Sequence, residues 1–355
     1  MSARALDVFL QQAEACAALG SPFMARLLNI LANLLPEHPS ATAAVIRDWD
    51  GDPGLHGDGV PLRLTGGLHA LILTGQASDL KEVYPPHEVE DDILRWALDQ
   101  ALTQRDMRLL EALTRAPQTN EVRRASLLIA VAHELGHLFQ KGSGPKGKTP
   151  FWVSEIGASA GLNLNFDQFY LLIGAGFGPK ESLVQLSPDW SGALPPRSEI
   201  SVAGREGVDL APVDLSSEDA QLRLLSYLWP DQPERIARTR AAMTLPAPKV
   251  VQADALAWLP ERLAAAPKSH VHLLYSTIAW QYLPPEARAE GAALIQEAGE
   301  RATSDTPLAW FRMEADAQPG SAALTLDLWP GRLRYSLGRA DFHGRWVAWT
   351  GIDKG

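Results

Sequence analysis

The sequence predicts an α/β protein, with a mostly parallel sheet closed by antiparallel C-terminal strands and a helical N-terminal part. Three observations carry this expectation. Up to about residue 140, apolar residues recur at three- and four-residue spacing, as on one face of a helix. From Phe151 onward, short apolar runs alternate with helix-like stretches, the pattern of strands covered on both faces. After Leu324, strand-like runs follow one another with only short turns between them, which implies antiparallel neighbours.

Taken in order, the helical spacing is clearest over Phe23 to Leu35, Leu62 to Leu73 and Ile93 to Leu113. Breaks fall at Gly20-Ser21-Pro22, Pro36 to Pro39, Asp50 to Gly59, Tyr84-Pro85-Pro86 and Pro117, each carrying residues that stop or start helices. A boundary at Pro117 divides the chain into a helical bundle or cap, 1–116, and an α/β domain, 117–355. Thr119 or Asn120 can cap the next helix, which runs to about Gln140 and is followed by a glycine- and lysine-rich segment, Gly142 to Lys148. Expected strands are Phe151 to Ile156, Ile200 to Val202, Lys249 to Gln252, Val271 to Tyr275 and Leu308 to Arg312. Three more close the chain, Leu324 to Trp329, Leu333 to Leu337 and Trp346 to Thr350.

Composition excludes several classes. With 46% hydrophobic residues the chain has ample material for a core. No apolar run approaches the roughly 20 residues that cross a bilayer, and the N-terminus lacks the features of a signal peptide, so a cytoplasmic protein without a membrane partner is expected. The 42 acidic against 32 basic side chains give a net charge of -10, a field that opposes a phosphate backbone and makes nucleic acid a poor substrate. Cys16 is the single cysteine, which excludes an internal disulfide and a multi-cysteine zinc site.

The most informative stretch runs from Glu155 to Leu164, a strand ending in a small-residue turn that leads into a helix. An acid followed by closely spaced glycines lets the backbone approach a nucleoside cofactor. The spacing Glu155-x-Gly157-x-Ser159-x-Gly161 is similar to the first motif of class I S-adenosylmethionine-dependent methyltransferases, with a serine where a glycine is usual. That resemblance implies a Rossmann-like sheet. It also implies S-adenosylmethionine as cofactor, with Glu155 orienting its amino-acid end, and Gly157, Ser159 and Gly161 giving it room. Asp209 would then meet the ribose and Asp254 the adenine. Asn120, with Glu121, either lines the same site or merely caps a helix, and capping alone accounts for Asn120. The separation of 48 residues between Gly161 and Asp209 (209 minus 161) exceeds the roughly 20 usual for a ribose acid, so an insertion lies between them and Asp189 or Asp214 are substitutes. Ser276, at the end of the strand opening onto the transfer site, is a candidate catalytic residue. So are His343 and Arg345, which with Asp341 alternate along an expected strand and could bind an anion or supply a base. Trp280 and Tyr282 are expected near a substrate cavity. The acceptor, a small molecule or a protein, is left open.

Over nearly its full length the chain also resembles an uncharacterised bacterial family catalogued as a domain of unknown function, DUF2332. That resemblance rests on Leu62-Arg63-Leu64 with Gly67-Leu68-His69-Ala70, Tyr84-Pro85-Pro86, Pro117 to Glu121, the Glu155 run, Trp229 to Gln232 and Asp341 to Trp346.

Rival readings use the same residues. Gly157-Ala158-Ser159-Ala160-Gly161 is also Gly-x-Ser-x-Gly, the nucleophile elbow of α/β-hydrolases, with His343 as a possible base. Such an elbow follows several strands, whereas helices precede this one. His133-Glu134-Leu135-Gly136-His137 matches the zinc-protease pattern HExxH, but Gln140 and Ser143 stand where a third-ligand motif would continue. The apolar residues of that helix leave His133 and His137 toward its polar side. A nucleoside-binding protein without catalysis is the remaining alternative.

Overall fold

The structure, a computed structural model, describes residues 3–54, 57–139 and 150–352. The segment Gly142 to Lys148, with Gln140 and Ser143, lies outside the described residues. In chain order the helices are α1 (Ala3–Ala18), α2 (Pro22–Leu34), α3 (Ala41–Arg47), α4 (Val60–Leu73), α5 (Ser78–Lys81), α6 (Asp91–Gln104), α7 (Asp106–Leu113) and α8 (Ala125–Phe139). Then come β1 (Phe151–Ile156), β2 (Tyr170–Leu172), β3 (Gly176–Phe177), β4 (Gln185–Leu186), β5 (Asp189–Gly192) and β6 (Val202–Asp209). After these follow α9 (Glu218–Ser226), α10 (Pro233–Met243), β7 (Lys249–Gln252), α11 (Ala255–Ala264), β8 (Val271–Thr277) and α12 (Pro285–Glu300). Four strands finish the chain: β9 (Leu308–Ala315), β10 (Ala322–Trp329), β11 (Leu333–Ala340) and β12 (Trp346–Trp349). None of the described helices is long and apolar enough to cross a membrane.

The chain divides into two compact units. The first comprises 1–119 together with 214–237. Its core is aliphatic, with Leu27, Leu28, Leu31, Leu64, Leu68, Leu98 and Leu102 fully buried, as helical spacing demands. The periodic stretch Ile93 to Leu113 folds as α6 and α7, because Arg105 between them leaves the helical region (φ -121°, ψ 22°) and Asp106 starts a new helix. The Asp106 carboxylate accepts from the amides of Ala41 and Thr42 at 2.8 Å and from the Thr42 hydroxyl at 2.6 Å, joining the starts of α3 and α7. Segment 214–237 enters this unit by two devices. Asp231 accepts from the Ser21 hydroxyl (2.6 Å) and the Phe23 amide (3.0 Å) at the start of α2. Gly66 on α4 leaves a slot for the Tyr227 ring, since a Cβ there would lie 2.6 Å from it.

The second unit, 120–213 with 238–355, is a mixed α/β structure around a nine-stranded sheet ordered β5-β12-β11-β10-β9-β8-β1-β6-β7. The run β9-β8-β1-β6-β7 is parallel throughout, whereas β9, β10, β11 and β12 meander antiparallel. On one sheet face Ile156, Val208, Leu274 and Trp310 pack against Trp258 and Leu259 of α11 and Ile295 of α12. Phe151, Val153, Leu273 and Phe311, of opposite parity, are fully buried as well. Burial on both faces is why all seven residues of β8 are buried, its polar His272, Ser276 and Thr277 included, with no alternation of exposed and buried positions. The stretch between Gly161 and β6 holds a 3-10 segment (Leu162–Gln168), a small sheet ordered β3-β2-β4, and β5, which pairs with β12 at the far edge of the main sheet.

Gly66→Val is expected to destabilise the protein by about 1 to 3 kcal/mol, because the new side chain meets the Tyr227 ring. Urea denaturation checks this; an unchanged midpoint would show that Tyr227 docks elsewhere.

Candidate functional site

In a sheet ordered β7-β6-β1-β8-β9, the connections from β1 run one way to β6 and the later strands lie on the other side. Open α/β sheets in general take their ligands outside the carboxyl ends of the strands at such a reversal. Glu155 stands at this point, the penultimate residue of β1, in register with Gly207 on β6 and Tyr275 on β8. Its side chain is 2% exposed, and its Oε2 has no hydrogen-bond partner. Burial pushes its carboxyl up to about 8, with the Tyr275 hydroxyl and Arg124 opposing the rise and the Asp209 carboxylate adding to it. Glu155 is therefore mainly protonated at neutral pH. Burial also raises the Tyr275 phenol well above its ordinary value, with the Glu155 charge contributing.

The chain leaves β1 through a turn in which Gly157 (φ 72°), Ser159 (φ 52°) and Gly161 (φ 70°) are all left-handed. This conformation explains the glycine spacing, since only glycine adopts it without steric cost. Ser159 bears that cost at the position where the sequence departs from glycine. Asp209 holds the turn in place: Oδ2 accepts from the Ser159 amide (2.8 Å) and Oδ1 from the Ala211 amide (2.9 Å). Gly207 lets the turn settle on the sheet, because a Cβ there would meet that of Ala158 at 2.5 Å. The Ser159 hydroxyl is buried and has no partner.

Segment 120–124 reaches the same turn. Asn120 Oδ1 accepts from the Leu162 amide at 2.8 Å, and Asn163 donates to the Glu121 carbonyl at 3.2 Å. The Arg124 guanidinium donates to the carbonyls of Thr277 and Phe342, each at 2.9 Å, and so clips the end of β8 to the turn after β11. That turn corrects one expectation. Asp341, His343 and Arg345 do not alternate along a strand; they form the connection between β11 and β12. Asp341, 1% exposed, accepts from the amides of His343 (2.9 Å) and Arg345 (3.0 Å) and from the Arg345 guanidinium (2.8 Å). The side-chain carboxylate of an aspartate favours just such a local turn over an extended chain. Burial raises the Asp341 carboxyl, but its bonds to Arg345 outweigh this and hold it below the ordinary range.

Ser276 is fully buried and its hydroxyl donates to Glu314 at the end of β9 (2.8 Å). Glu314 also accepts from the amides of Ala279, Trp280 and Gln281 at 3.1 to 3.3 Å. Burial raises its carboxyl, and these bonds counter the rise. Trp280 packs edge-on to Trp310 at 5.2 Å inside the core, while Tyr282 is 57% exposed. Asp254 is exposed and caps α11, accepting from the amides of Leu256 (2.8 Å) and Ala257 (3.3 Å). Asp189 lies on β5, at the opposite edge of the sheet from β6, and Asp214 accepts from Ser216 in an exposed turn. Of the three acids weighed for the ribose, Asp209 is the one whose carboxylate is shown accepting from an amide of the glycine turn.

His133 is also corrected: it is 6% exposed, accepts from the Ser198 amide at 3.0 Å and meets Phe177 edge-on at 5.0 Å. Burial lowers it to about 4, so it stays neutral. Glu134 accepts from the Trp349 indole at 3.4 Å. Among the described residues, no group of three His, Cys, Asp or Glu side chains is placed to hold a metal ion.

A family profile described as "Uncharacterized protein conserved in bacteria (DUF2332)" matches residues 6–349. The chain belongs to this family. No curated protein and no solved structure matches it. Within this DUF2332 chain, sequence reasoning missed Tyr275, Arg124 and Glu314. Glu314 had a signal that could have found it: Leu308–Ala315, like Phe151–Ile156, is an apolar strand with an acid at its carboxyl end.

Between about pH 4.5 and 8 the folded protein retains a Glu155 proton that the unfolded chain has released. The stability this group contributes is complete below about 4.5 and is lost as pH rises through about 8. Glu155→Gln should therefore be the more stable of the two toward pH 8, by up to several kcal/mol, with the difference shrinking toward pH 5. Parallel pH profiles of the urea midpoints would show that Glu155 titrates normally.

Proposed function

We propose that the chain is an S-adenosylmethionine-dependent methyltransferase whose cofactor binds at the carboxyl end of β1. The observation that carries this reading is one juxtaposition: a buried acid, a left-handed glycine turn and a second acid, Asp209, at the point where the strand order reverses. The donor set suits the cofactor in kind. Glu155 Oε2 and the Ser159 hydroxyl are buried without partners, as groups awaiting a ligand would be. Glu155 would receive the ammonium of the amino-acid end, Asp209 the ribose and Asp254 the adenine. The bound cofactor supplies an activated methyl group, so this chain's own part is alignment of an acceptor and exclusion of water. The acceptor is a small molecule or a protein side chain, and His343 and Arg345 would stand on its side. We place the reaction in the cytoplasm, in keeping with a chain that has one cysteine.

A cation brought to Glu155 lowers its pKa, so binding near neutral pH must release a proton. Calorimetry with S-adenosylmethionine and S-adenosylhomocysteine should show binding, with proton release read from buffers of different ionisation enthalpy. Glu155→Ala should cost about 1.5 to 3 kcal/mol of affinity, as for a charge-assisted hydrogen bond. Absence of heat with both ligands, or equal affinity in the variant, would sink this reading.

One observation favours a second reading. Ser159 sits at φ 52° with its hydroxyl unpaired, as a nucleophile-elbow serine would. Covalent labelling by a fluorophosphonate, abolished in Ser159→Ala, would replace the transferase with a serine hydrolase; no labelling is expected.

A further inference from the structure

The room that Gly157 offers is taken. A Cβ built on Gly157 would lie 2.4 Å from the Cβ of Ala279, so the loop leaving β8 rests directly on the glycine at the end of β1. Its two residues, Ile278 and Ala279, lie between firm anchors. On one side the Thr277 carbonyl is held by Arg124 at 2.9 Å. On the other, the Trp280 ring is buried against Trp310 and fills a notch over Gly291, where a Cβ would come within 2.7 Å of it. Between these anchors the backbone is strained, because Ile278 is left-handed at φ 53°, a region that a β-branched residue adopts only when its surroundings force it there. Two things force it. The Ile278 amide donates to the Met313 carbonyl at 2.8 Å, and the Glu314 carboxyl gathers the next three amides, Ala279, Trp280 and Gln281.

We propose that Ile278 and Ala279 form a flap, latched shut by Glu314, that must lift from Gly157 before a ligand can reach the backbone at the end of β1. This inference deepens the methyltransferase reading and rests on its choice of site, but the latch itself is made by this chain's own residues and can be tested without the cofactor. Glu314 acts here as a positioning residue. Its one carboxyl holds the loop closed, and the strain at Ile278 favours release once that hold is broken. Closure leaves the Glu155 carboxyl sealed at 2% exposure, and opening is the step that exposes it.

The test is amide hydrogen exchange on the ligand-free protein, followed by stopped-flow binding of S-adenosylmethionine. Glu314→Gln keeps the side chain's shape but replaces one acceptor oxygen with a donor. Exchange at Ala279, Trp280 and Gln281 should rise at least tenfold in this variant, while the Leu273 to Tyr275 amides inside β8 keep their protection. Ala279→Gly removes the methyl group that covers Gly157 without touching the latch, and should speed S-adenosylmethionine association severalfold with loop exchange changed little. Unchanged loop exchange in Glu314→Gln would overturn the latch. An equal rise across loop and strand would also overturn it, since Glu314 would then support only the sheet. If S-adenosylmethionine binds but its association is the same in all three proteins, the flap does not gate the site. If it binds none of them, the cofactor reading fails and the exchange result alone decides whether the flap exists.

Discussion

β1 has a parallel neighbour on each side, and this constraint orders the α/β unit around it. A strand flanked in this way cannot turn back by a hairpin, so the chain leaving Ile156 must rise off the sheet and cross over one of its faces. The exit is a tight left-handed turn, and Asp209 on the neighbouring strand fixes that turn by accepting from the Ser159 amide. The requirement for Gly157, Gly161 and Gly207 follows from it: the first two supply the backbone conformation, and the third lets the turn lie flat on β6. Asn120 and Arg124 then tie the glycine turn, the end of β8 and the Asp341 turn together through hydrogen bonds from side chains to backbone.

Two acids end apolar strands in this unit, and the fold treats them differently. Glu314 is half-buried and surrounded by donors, one hydroxyl and three amides, and so works as a backbone anchor. Glu155 is buried beside Tyr275 with one oxygen unmatched, and it meets the cost of burial by holding its proton. An unmatched buried group of this kind lowers stability without improving packing, and such groups concentrate where chemistry or binding needs them. Ser154 and His272, also buried and polar, form the opposite case: Ser154 Oγ lies 2.8 Å from His272 Nε2 and accepts from Arg262 at 2.7 Å, a closed network with its groups satisfied.

Much of the candidate site was legible in the sequence because it is local in the chain. Glu155, Gly157, Ser159 and Gly161 occupy one turn whose backbone conformation dictates its residue types, so their spacing carries the information. Asp209 came only from what the methyltransferase resemblance implies, with Asp189 and Asp214 as substitutes, because the strand expected there, Ile200 to Val202, stops short of it, whereas β6 runs from Val202 to Asp209. What escaped the sequence was set by contacts between distant segments. Asp341, His343 and Arg345 alternate as strand residues do, but the Asp341 carboxylate bends them into a turn by taking the amides two and four residues ahead. Ser276 lies at a strand end as expected, yet its partner Glu314 is 38 residues away and consumes its hydroxyl. His133 occupies a pattern that suggests zinc, and only the packed chain shows Ser198 and Phe177 enclosing it.

The sequence by itself determined the helical first part, the alternation that makes a parallel sheet, the antiparallel finish and the glycine turn, because hydrophobic period and backbone conformation are local properties. Tertiary structure alone decided that 214–237 folds with the first unit, through the slot at Gly66 and the hold of Asp231 on α2. It also decided the order of the strands, and with that which residues meet at the end of β1. Strand neighbours are chosen by the burial of whole faces and by loop closure across tens of residues, and no short stretch of sequence records that choice.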